Sequence, residues 1–250
     1  SNIFENTEVK VFSDILANKG EINGLVVKNK ADGYSRKDLD KLQEFVKIYG
    51  AKALSFLKYG KDGVTGSVAK ALSDSEKEAI KSQLGLEDND MVLMVAGSKK
   101  VSLAALGALR VKLGKELGLV NEDEYKFLWV TNFPMFEYSE EEDRYVAAHH
   151  PFTSPNKEDV DKLLTDKENC YSRAYDLVIT GYELLSGSIR IHDQQLQAKV
   201  FEAIGMSMEE AQAKFGFFLD AFRYGTPPDG RVGIGVKRFL MILTGTDNNR

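Results

Sequence analysis

Two adjacent histidines, His149 and His150, are followed directly by Pro151. The chain has only three histidines, so two in a row between an apolar run and a stiff turn form a candidate binding feature. Adjacent residues on an extended segment face opposite ways. We therefore expect one imidazole to face a pocket and the other to pack behind it. The alternative is a pair of structural histidines. Joint metal ligation is not expected, because the two rings would diverge.

Two carboxylates interrupt the apolar run "YDLVITGYE", at Asp176 and Glu183. On one flat strand these residues would point to opposite faces, but a bend or bulge near Gly181 would bring them onto one face. Two carboxylates on a sheet surface suit a hard cation such as Mg²⁺, with phosphate oxygens completing its shell. The alternative is that both side chains lie in solvent or pair with basic neighbours.

Two arginines are candidate ligands for anionic or flat groups. Arg190 alternates with Ile189 and Ile191, so it faces away from these apolar side chains. Its planar guanidinium suits a carboxylate, although a surface or ion-paired arginine has the same pattern. Arg238 follows the small residues of "GIGV" on the first turn of a predicted helix. A flat ligand could approach there and stack on the guanidinium.

The elements that must position these side chains lie in the second half of the chain. The stretch "AYDLVITGYELLSGSIRIH" is interpreted as two strands that meet at a bend around Ser186-Gly187. Helix signals follow, with Asp193 as an N-cap and Ser207 with Glu210 as a capping box. The closing segment predicts a strand and then the helix that carries Arg238.

The first half shows alternating strand and helix patterns. Predicted strands are the apolar runs "GLVVKN", "AKALSFLKY" and "MVLMVAGS". Predicted helices are "SRKDLDKLQEFVKIYG", "SDSEKEAIKSQLG" and "VSLAALGALRVKLGKELG". Ser35 is the expected N-cap of the first helix, and Ser73 with Glu76 the expected capping box of the second. No constellation of catalytic residue types occurs here, so this half alone indicates a small α/β packing or recognition module.

Composition sets the broad class of protein. With 250 residues, 43% hydrophobic and 28% charged, the chain has the make-up of a soluble globular protein. Its one cysteine, Cys170, excludes an internal disulfide and a multi-cysteine zinc site. No apolar run is long enough to span a bilayer and nothing at the start resembles a signal peptide. We expect a cytoplasmic protein with no membrane association.

Charge and proline are distributed unevenly along the chain. The net charge of −5 gives no global attraction for nucleic acid. Basic and acidic residues balance in residues 1–125, and all prolines and histidines follow residue 130. This shift predicts two domains with a boundary near the acidic "NEDE" at residues 121–124.

Several long strings, taken together, resemble the bacterial-type aspartyl-tRNA synthetases in order and spacing. They are "FLWVTNFPMFEYSEEEDRYVAAHHPFTSP", "AYDLVITGYELLSGSIRIH", "KFGFFLDAFRYGTPP" and "LTGTDN". In the first half, "YGAKALSFLKY" and "LGALRVKLGKELGL" are similar to the GAD insertion domain of that family, which also occurs in tRNA-dependent amidotransferase subunits. The resemblance covers nearly the whole chain and is far more specific than any single motif.

The resemblance implies an α+β fold: a partial class II aminoacyl-tRNA synthetase antiparallel sheet with flanking helices, plus a small α/β GAD domain. Residues 1–122 would be the GAD-like domain and residues 123–250 the C-terminal half of the catalytic domain. The implied activity is ligation of aspartate to tRNA with ATP and Mg²⁺, by a homodimer in the cytoplasm. ATP and aspartate would bind on one face of the sheet.

The resemblance also assigns roles to individual residues. His149 and His150 would contact aspartate, and Arg190 would hold its side-chain carboxylate. Asp176 and Glu183 would lie near ATP and Mg²⁺. The implied ATP site lies at the start of the last helix and consists of Gly235, Val236, Lys237 and Arg238, with Arg238 stacking on adenine. The implied catalytic residues are Glu183 and Arg238. We expect His149, Glu183, Arg190 and Arg238 to surround one cavity.

The last conserved motif of the family departs from its usual form. Where the family usually has PPHGG, a strand and GLDR, this chain reads "PPDGRVGIGVKR". Asp229 stands in place of a histidine, Arg231 of a glycine and Lys237 of an acidic residue. Lys237 reverses a charge beside the expected ATP site. Leu185 and Ser186 also occupy positions that are often glycine in the family.

Three hypotheses remain open at this point. The family's anticodon-binding OB-fold and its motifs 1 and 2 would lie upstream of the first residue. One hypothesis is therefore a fragment or truncated form of the synthetase, inactive or nearly so alone. The second is a diverged, non-catalytic paralogue that binds a ligand or partner. The third is an interaction module in which the GAD-like half contacts RNA or protein. An incomplete sheet would also have an open edge and favour self-association.

Overall fold

The computed structural model describes residues 2–121 and 123–246. The chain forms two compact units, Ser1–Asn121 and Glu122–Arg250. Asp247 and Asn248, which end the string "LTGTDN", lie outside the described residues. In the part of the chain that is described, no helix has the length and apolar character required to cross a membrane.

Unit 1 is an antiparallel sheet with helices packed on it. Its strands lie in the order β1-β4-β2-β3, and the pairs β1–β4, β4–β2 and β2–β3 are antiparallel. The strands are β1 (Glu21–Val27), β2 (Ser55–Gly60), β3 (Gly63–Gly66) and β4 (Met91–Gly97). The helices are α1 (Lys10–Ala17), α2 (Arg36–Lys47), α3 (Asp74–Leu84) and α4 (Lys99–Glu116). Short 3-10 turns occupy Asn2–Phe4 and Ala31–Gly33.

The unbroken apolar run of β4 is explained by burial on both faces of the strand. Met91, Leu93 and Val95 belong to a core with α2 and α4. The alternate residues Val92 and Met94 belong to a second core, with side chains of α1 and α3. Since both faces of β4 are covered by protein, alternation of polar and apolar residues is not needed there.

The predicted helix caps of unit 1 are confirmed. Ser35 forms a capping box with Asp38 at the start of α2, and Ser73 forms one with Glu76 at the start of α3. Gly85 ends α3 in the left-handed conformation, with φ 57°. The left-handed conformation has a lower free-energy cost for glycine than for a residue with a Cβ atom.

Unit 2 is built on a second antiparallel sheet, in the order β10-β9-β8-β5. Its strands are β5 (Phe127–Pro134), β8 (Tyr171–Ile179), β9 (Tyr182–Ile189) and β10 (Gly230–Ile234), and a separate hairpin consists of β6 (Phe136–Ser139) and β7 (Arg144–Ala147). The helices are α5 (Gln194–Ala203), α6 (Met208–Phe222) and α7 (Val236–Thr244), with 3-10 turns at Lys157–Lys162 and Lys167–Asn169. Asp193 caps α5 and Ser207 caps α6, as predicted.

The predicted bend at Ser186-Gly187 is wrong. The chain reverses instead at Thr180 and Gly181, which have φ of 48° and 86° and connect β8 to β9. Strand β9 then continues through Ser186 and Gly187 to Ile189. The small residues serve close packing rather than a turn: a Cβ atom on Gly187 would lie 2.3 Å from the carbonyl oxygen of Arg231 and 2.5 Å from the ring of Tyr175.

The core of unit 2 lies to one side of its sheet, around α5. Phe201, Val200, Ile191 and Leu163 are almost fully buried there. Cys170 is buried in the same cluster, and burial raises the pKa of its thiol to about 11. A thiol that stays protonated and inaccessible is a structural residue rather than a nucleophile.

Candidate functional site

A cavity of about 310 Å³ opens on the sheet of unit 2 where β9 ends and β10 begins. Its lining combines imidazoles, guanidiniums, hydroxyls and residues with small side chains or none: His149, His150, Ser186, Gly187, Ser188, Arg190, Arg231, Val232 and Gly233. None of these lining residues carries a carboxylate. The cavity therefore suits an anionic ligand.

Strand register brings the polar side chains of this lining onto one face. Ser188 pairs with Arg231, and Ser186 pairs with Gly233. Paired residues of antiparallel strands point to the same side of a sheet. Arg190 lies two residues beyond Ser188, so it continues the same face at the end of β9. The backbone N–H of Arg190 donates to the carbonyl of Asp229 at 2.8 Å and ties this end to β10.

Within the cavity, His150 and Arg190 are in direct contact. The guanidinium Nη1 of Arg190 lies 3.0 Å from Nδ1 of His150, and the backbone N–H of Phe152 donates to the same ring nitrogen at 3.2 Å. Two donors directed at Nδ1 require that nitrogen to be an acceptor, so the ring is neutral with its proton on Nε2. That nitrogen lies 3.4 Å from the hydroxyls of Thr153 and Ser188.

The electrostatics of the cavity favour a neutral His150. Burial lowers the pKa of His150 to about 4, with Arg190, His149 and Arg231 acting in the same direction. Burial also lowers the pKa of Arg190, as does the nearby charge of Arg231. An anion in the cavity would relieve this crowding of positive charge, because opposite charge favours the protonated forms.

Both histidines of the pair, His149 and His150, line the cavity, whereas the sequence predicted that one would face a pocket and the other would pack behind it. The ring of His149 also packs edge-on against Phe133 with centroids 5.0 Å apart. The backbone bends at Ala148 and His149, immediately after β7 ends. The alternation of side chains holds only for extended backbone, so it does not apply at this pair.

The two predicted metal ligands lie on the cavity's face of the sheet because of a β-bulge. Asp176 pairs with Ser186, whereas Val178 pairs with Glu183, and the register shifts between Leu177 and Val178. One additional residue on β9 therefore reverses the alternation. Oδ1 of Asp176 is buried and has no hydrogen-bond partner among the described residues. Its carboxylate is thus available for a cation.

Glu183 and Arg238 contact each other rather than the cavity. Nη1 of Arg238 lies 3.1 Å from Oε1 of Glu183 and 2.9 Å from its carbonyl oxygen. Both side chains are about half exposed. Glu183 is the second residue of β9 and Arg190 follows its end, so the two lie roughly 20 Å apart along the strand. His149 and Arg190 therefore line the cavity, while the other two expected members form a second group on the same sheet.

The remaining predicted ATP residues surround the start of α7. Gly235 is the N-cap residue, and its N–H donates to the carbonyl of Leu184 at 2.8 Å. A Cβ atom on Gly235 would approach that oxygen to 3.3 Å. Val236 and Lys237 are exposed. Residues 235 to 238 are consecutive, and Arg238 joins them to Glu183.

Three polar side chains of the cavity were not proposed as ligands from sequence: Ser186, Ser188 and Arg231. Arg231 had been noted as a departure from the family pattern, and Ser186 as another departure and as part of the predicted bend. The signal that could have identified them is strand register, which places Ser188 opposite Arg231. Register depends on the position of the turn, and that position was predicted incorrectly.

A second, aromatic cavity of about 280 Å³ adjoins the first. The aromatic cavity shares His150, Arg190 and Arg231 with the first cavity. Its other lining residues are phenylalanines: Phe152, Phe215, Phe217 and Phe218. Helix α6 departs from helical geometry at Phe215, where φ is −130°. Phe152 lies against three other phenylalanine rings, with the closest centroids 4.7 Å apart. This packing gives the guanidiniums an apolar border.

Comparison with known proteins identifies close relatives. The family model described as tRNA synthetases class II (D, K and N) matches residues 2–250. The chain is 51% identical over 250 residues to the aspartate–tRNA ligase of Macrococcus caseolyticus and 49% identical to that of Staphylococcus carnosus. Each match covers 100% of this chain and 42% of the relative. The chain thus spans less than half the length of these relatives.

Among solved structures, the aspartyl-tRNA synthetase from Entamoeba histolytica is similar to this chain. The two are 26% identical, with a TM-score of 0.39, and the match covers 57% of this chain and 24% of the other.

Proposed function

Because the chain belongs to the class II tRNA synthetases (D, K and N), we propose that it carries amino-acid and ATP subsites of an aspartate–tRNA ligase. In that reaction a carboxylate of aspartate attacks the α-phosphorus of ATP, aspartyl adenylate forms and pyrophosphate leaves. The aspartyl group then passes to tRNA. The observation that carries the proposal is the cationic cavity around Arg190, whose lining has no carboxylate.

Arg190 is the residue proposed to read the side chain of the amino acid. A guanidinium offers N–H donors in a planar fork that matches the two acceptor oxygens of a carboxylate. Asparagine would present an NH₂ group where an acceptor is required, and buried donors would lose a partner. His150 holds Arg190 from one side as a neutral acceptor, so the guanidinium is oriented before the ligand binds.

The proposed phosphate subsite lies along the same face. Asp176 has a buried carboxylate oxygen without a hydrogen-bond partner among the described residues, and the pairing of Glu183 with Val178 places Glu183 on the same side of the sheet. Hard oxygen donors of this kind fit Mg²⁺, and these two residues would hold it. Mg²⁺ bound with ATP would neutralise part of the negative charge of the phosphates.

Arg238 is proposed to stack on the adenine of ATP at the start of α7, beside Gly235, Val236 and Lys237. The ion pair with Glu183 fixes the guanidinium at the sheet surface, which supports a positioning function for Glu183 in addition to its proposed metal contact. The separation of this group from Arg190 fits an elongated ligand. Adenine would lie at one end of the face and the aspartate side chain at the other.

The wider setting belongs to the same proposal. We propose tRNA as the acceptor, a homodimer as the assembly and the cytoplasm as the compartment. Unit 1 is proposed to be the GAD-like domain, residues 1–122, and the rest of the chain, residues 123–250, the catalytic part.

Calorimetry with L-aspartate, L-asparagine and ATP with Mg²⁺ tests the proposal. We expect binding of ATP and of aspartate, with asparagine bound more weakly. Arg190→Gln should weaken aspartate binding roughly 10- to 100-fold, as expected for loss of a charge-assisted hydrogen bond. Arg173→Gln is the matched control, because Arg173 is exposed and alternates with Ala174 onto the opposite face of β8.

The same measurement separates the alternatives. Binding of only one small ligand would favour a diverged, non-catalytic paralogue. Binding of neither would favour an RNA- or protein-interaction module and would contradict the proposed ligase subsites. We expect little or no aspartate-dependent pyrophosphate exchange by the 250-residue chain alone, and robust exchange would contradict that expectation.

A further inference from the structure

Arg231 is the second guanidinium of the cavity. It lies on β10 directly opposite Ser188, on the face that Arg190 continues. Its side chain is 62% exposed, and its Nε donates to Oδ2 of Asp229 at 3.1 Å. The terminal nitrogens of Arg231 have no hydrogen-bond partner among the described residues. One side of the guanidinium is therefore held, while the other remains available.

Asp229 ties the two arginines together. Its side chain accepts from Arg231, and its backbone carbonyl accepts from the N–H of Arg190 at 2.8 Å. Arg190, Arg231 and Asp229 thus bring two guanidiniums and one carboxylate together, and that carboxylate is not part of the cavity lining. Arg231 is close enough to lower the pKa of both Arg190 and His150, although burial is the larger cause for each.

Arg190, Arg231 and Asp229 together carry one net positive charge, and a neutral His150 adds none. A single ligand carboxylate between Arg190 and Arg231 would balance it and would also accept hydrogen bonds from both sides. An amide of the same shape would bring no charge and would direct its N–H₂ group at one guanidinium. The discrimination of acid from amide would then be greater than Arg190 alone can provide.

We propose that Arg231 is a further specificity-determining residue, which binds the side-chain carboxylate of the amino acid together with Arg190, and that Asp229 positions it. This inference rests on the proposed function, since it names the ligand as an acidic amino acid in the same cavity. It assigns the cavity a clamp of two arginines contributed by adjacent strands.

Side-chain NMR of the wild-type chain provides a test that needs no substitution. We expect the Nε–H signals of Arg231 and Arg190 to shift together when L-aspartate is added, and to shift much less with L-asparagine. Aspartate binding that moves the Arg190 signal and leaves the Arg231 signal unchanged would overturn the clamp while leaving the proposed function intact. Absence of aspartate binding by the wild-type chain would overturn both.

Calorimetry on substituted chains provides the second test. Arg231→Gln should weaken L-aspartate binding roughly 10- to 100-fold and L-asparagine binding by no more than about twofold. Arg231→Lys keeps the charge and should recover part of the lost affinity. Arg223→Gln is the matched control, since Arg223 is exposed and also pairs with an aspartate, Asp220, three residues away.

Three outcomes would contradict the inference. Arg231→Gln could bind aspartate as tightly as the wild type while Arg190→Gln does not, which would limit recognition to Arg190. Arg231→Gln could lose aspartate and asparagine equally, which would indicate a structural role. Arg231→Lys could bind no better than Arg231→Gln, which would show that the positive charge is not what the ligand recognises.

Discussion

The imidazole of His150 acts in this structure as an acceptor for a guanidinium. Nδ1 receives both the Arg190 side chain and the N–H of Phe152. A proton on Nδ1 would place a positive charge against Arg190 and remove both hydrogen bonds. The orientation of Arg190, and with it the proposed selectivity for aspartate, therefore depends on the protonation state of its neighbour.

The pH dependence of folding follows from this contact. The pKa of His150 is about 4 in the folded chain, mainly because of burial and then Arg190, against about 6.5 when unfolded. Between these values the unfolded chain binds more protons, so the contribution of a neutral His150 is complete above pH 6.5 and is lost as the pH falls toward 4. The two pKa values alone would give about 3 kcal/mol, and solvent screening of this partly exposed ring reduces the contribution to on the order of 2 kcal/mol.

Denaturant unfolding at pH 7.5 and pH 5 measures this contribution. The wild-type chain should lose more stability between the two pH values than His150→Gln, which cannot bind the proton. His192→Gln is the control, because it makes the same substitution at an exposed histidine of unit 2. Equal pH dependence in the wild type and His150→Gln would contradict the assignment.

At the scale of elements, two backbone features place the site: the reversal at Thr180 and Gly181, and the bulge in β9. Both residues of the turn have positive φ, which is uncommon for a β-branched residue such as Thr180. The dipeptide Ser186-Gly187 has a more usual turn composition, so the sequence pattern favoured the wrong position. A bend or bulge near Gly181 was expected, and the reversal there places Asp176 and Glu183 on one face, because Glu183 pairs with Val178. The bulge then brings Ser186 opposite Asp176, so that the cavity lining lies on that same face.

Helices and strands were predictable wherever local chemistry decides them. The capping serines Ser35, Ser73 and Ser207 each begin a helix as predicted. Residue types also predicted that Arg190 faces a cleft or water and that one histidine of the pair faces a pocket, and Arg190 and both histidines line one cavity. Arg231 could not be found in this way, because its place opposite Ser188 depends on the pairing of β9 with β10, which local patterns do not specify.

The tight packing of β10 on β9 predicts unequal effects of two glycine substitutions. In Gly187→Ala, the new methyl group would meet the backbone of β10 at 2.3 Å and the Tyr175 ring at 2.5 Å, so the strands must separate. We expect a loss of about 1–3 kcal/mol of unfolding free energy. In Gly233→Ala the nearest atom is the carbonyl oxygen of Ser186 at 3.9 Å, and the change should stay within about 0.5 kcal/mol.

Thermal and urea unfolding of the two variants compares them directly. The substitutions lie on adjacent strands and add the same group, so only the space around each glycine differs. Equal destabilisation by Gly187→Ala and Gly233→Ala would contradict the close contact between β9 and β10 at Gly187. A destabilised Gly187→Ala chain should also show weaker aspartate binding, because the β10 edge carries Arg231.

At the scale of the whole molecule, the sheet of unit 2 has a strand that is apolar and uncovered. Strand β5 lies at one edge of the order β10-β9-β8-β5. Its residues Phe127 and Trp129 are 67% and 56% exposed, and Leu128, which alternates with them onto the other face, is 59% exposed. Exposed apolar side chains on an unpaired edge promote strand-to-strand association.

We therefore expect the chain to self-associate through β5, with a second copy pairing along its free edge. Sedimentation velocity over a hundredfold range of concentration should show a shift toward larger species. Trp129→Lys places a charge on that edge and should weaken the association roughly tenfold or more, as expected for loss of a buried tryptophan contact. Leu119→Lys is the control, because Leu119 is 73% exposed but lies in unit 1. A strictly monomeric chain, or equal weakening by both substitutions, would show that β5 is not the contact.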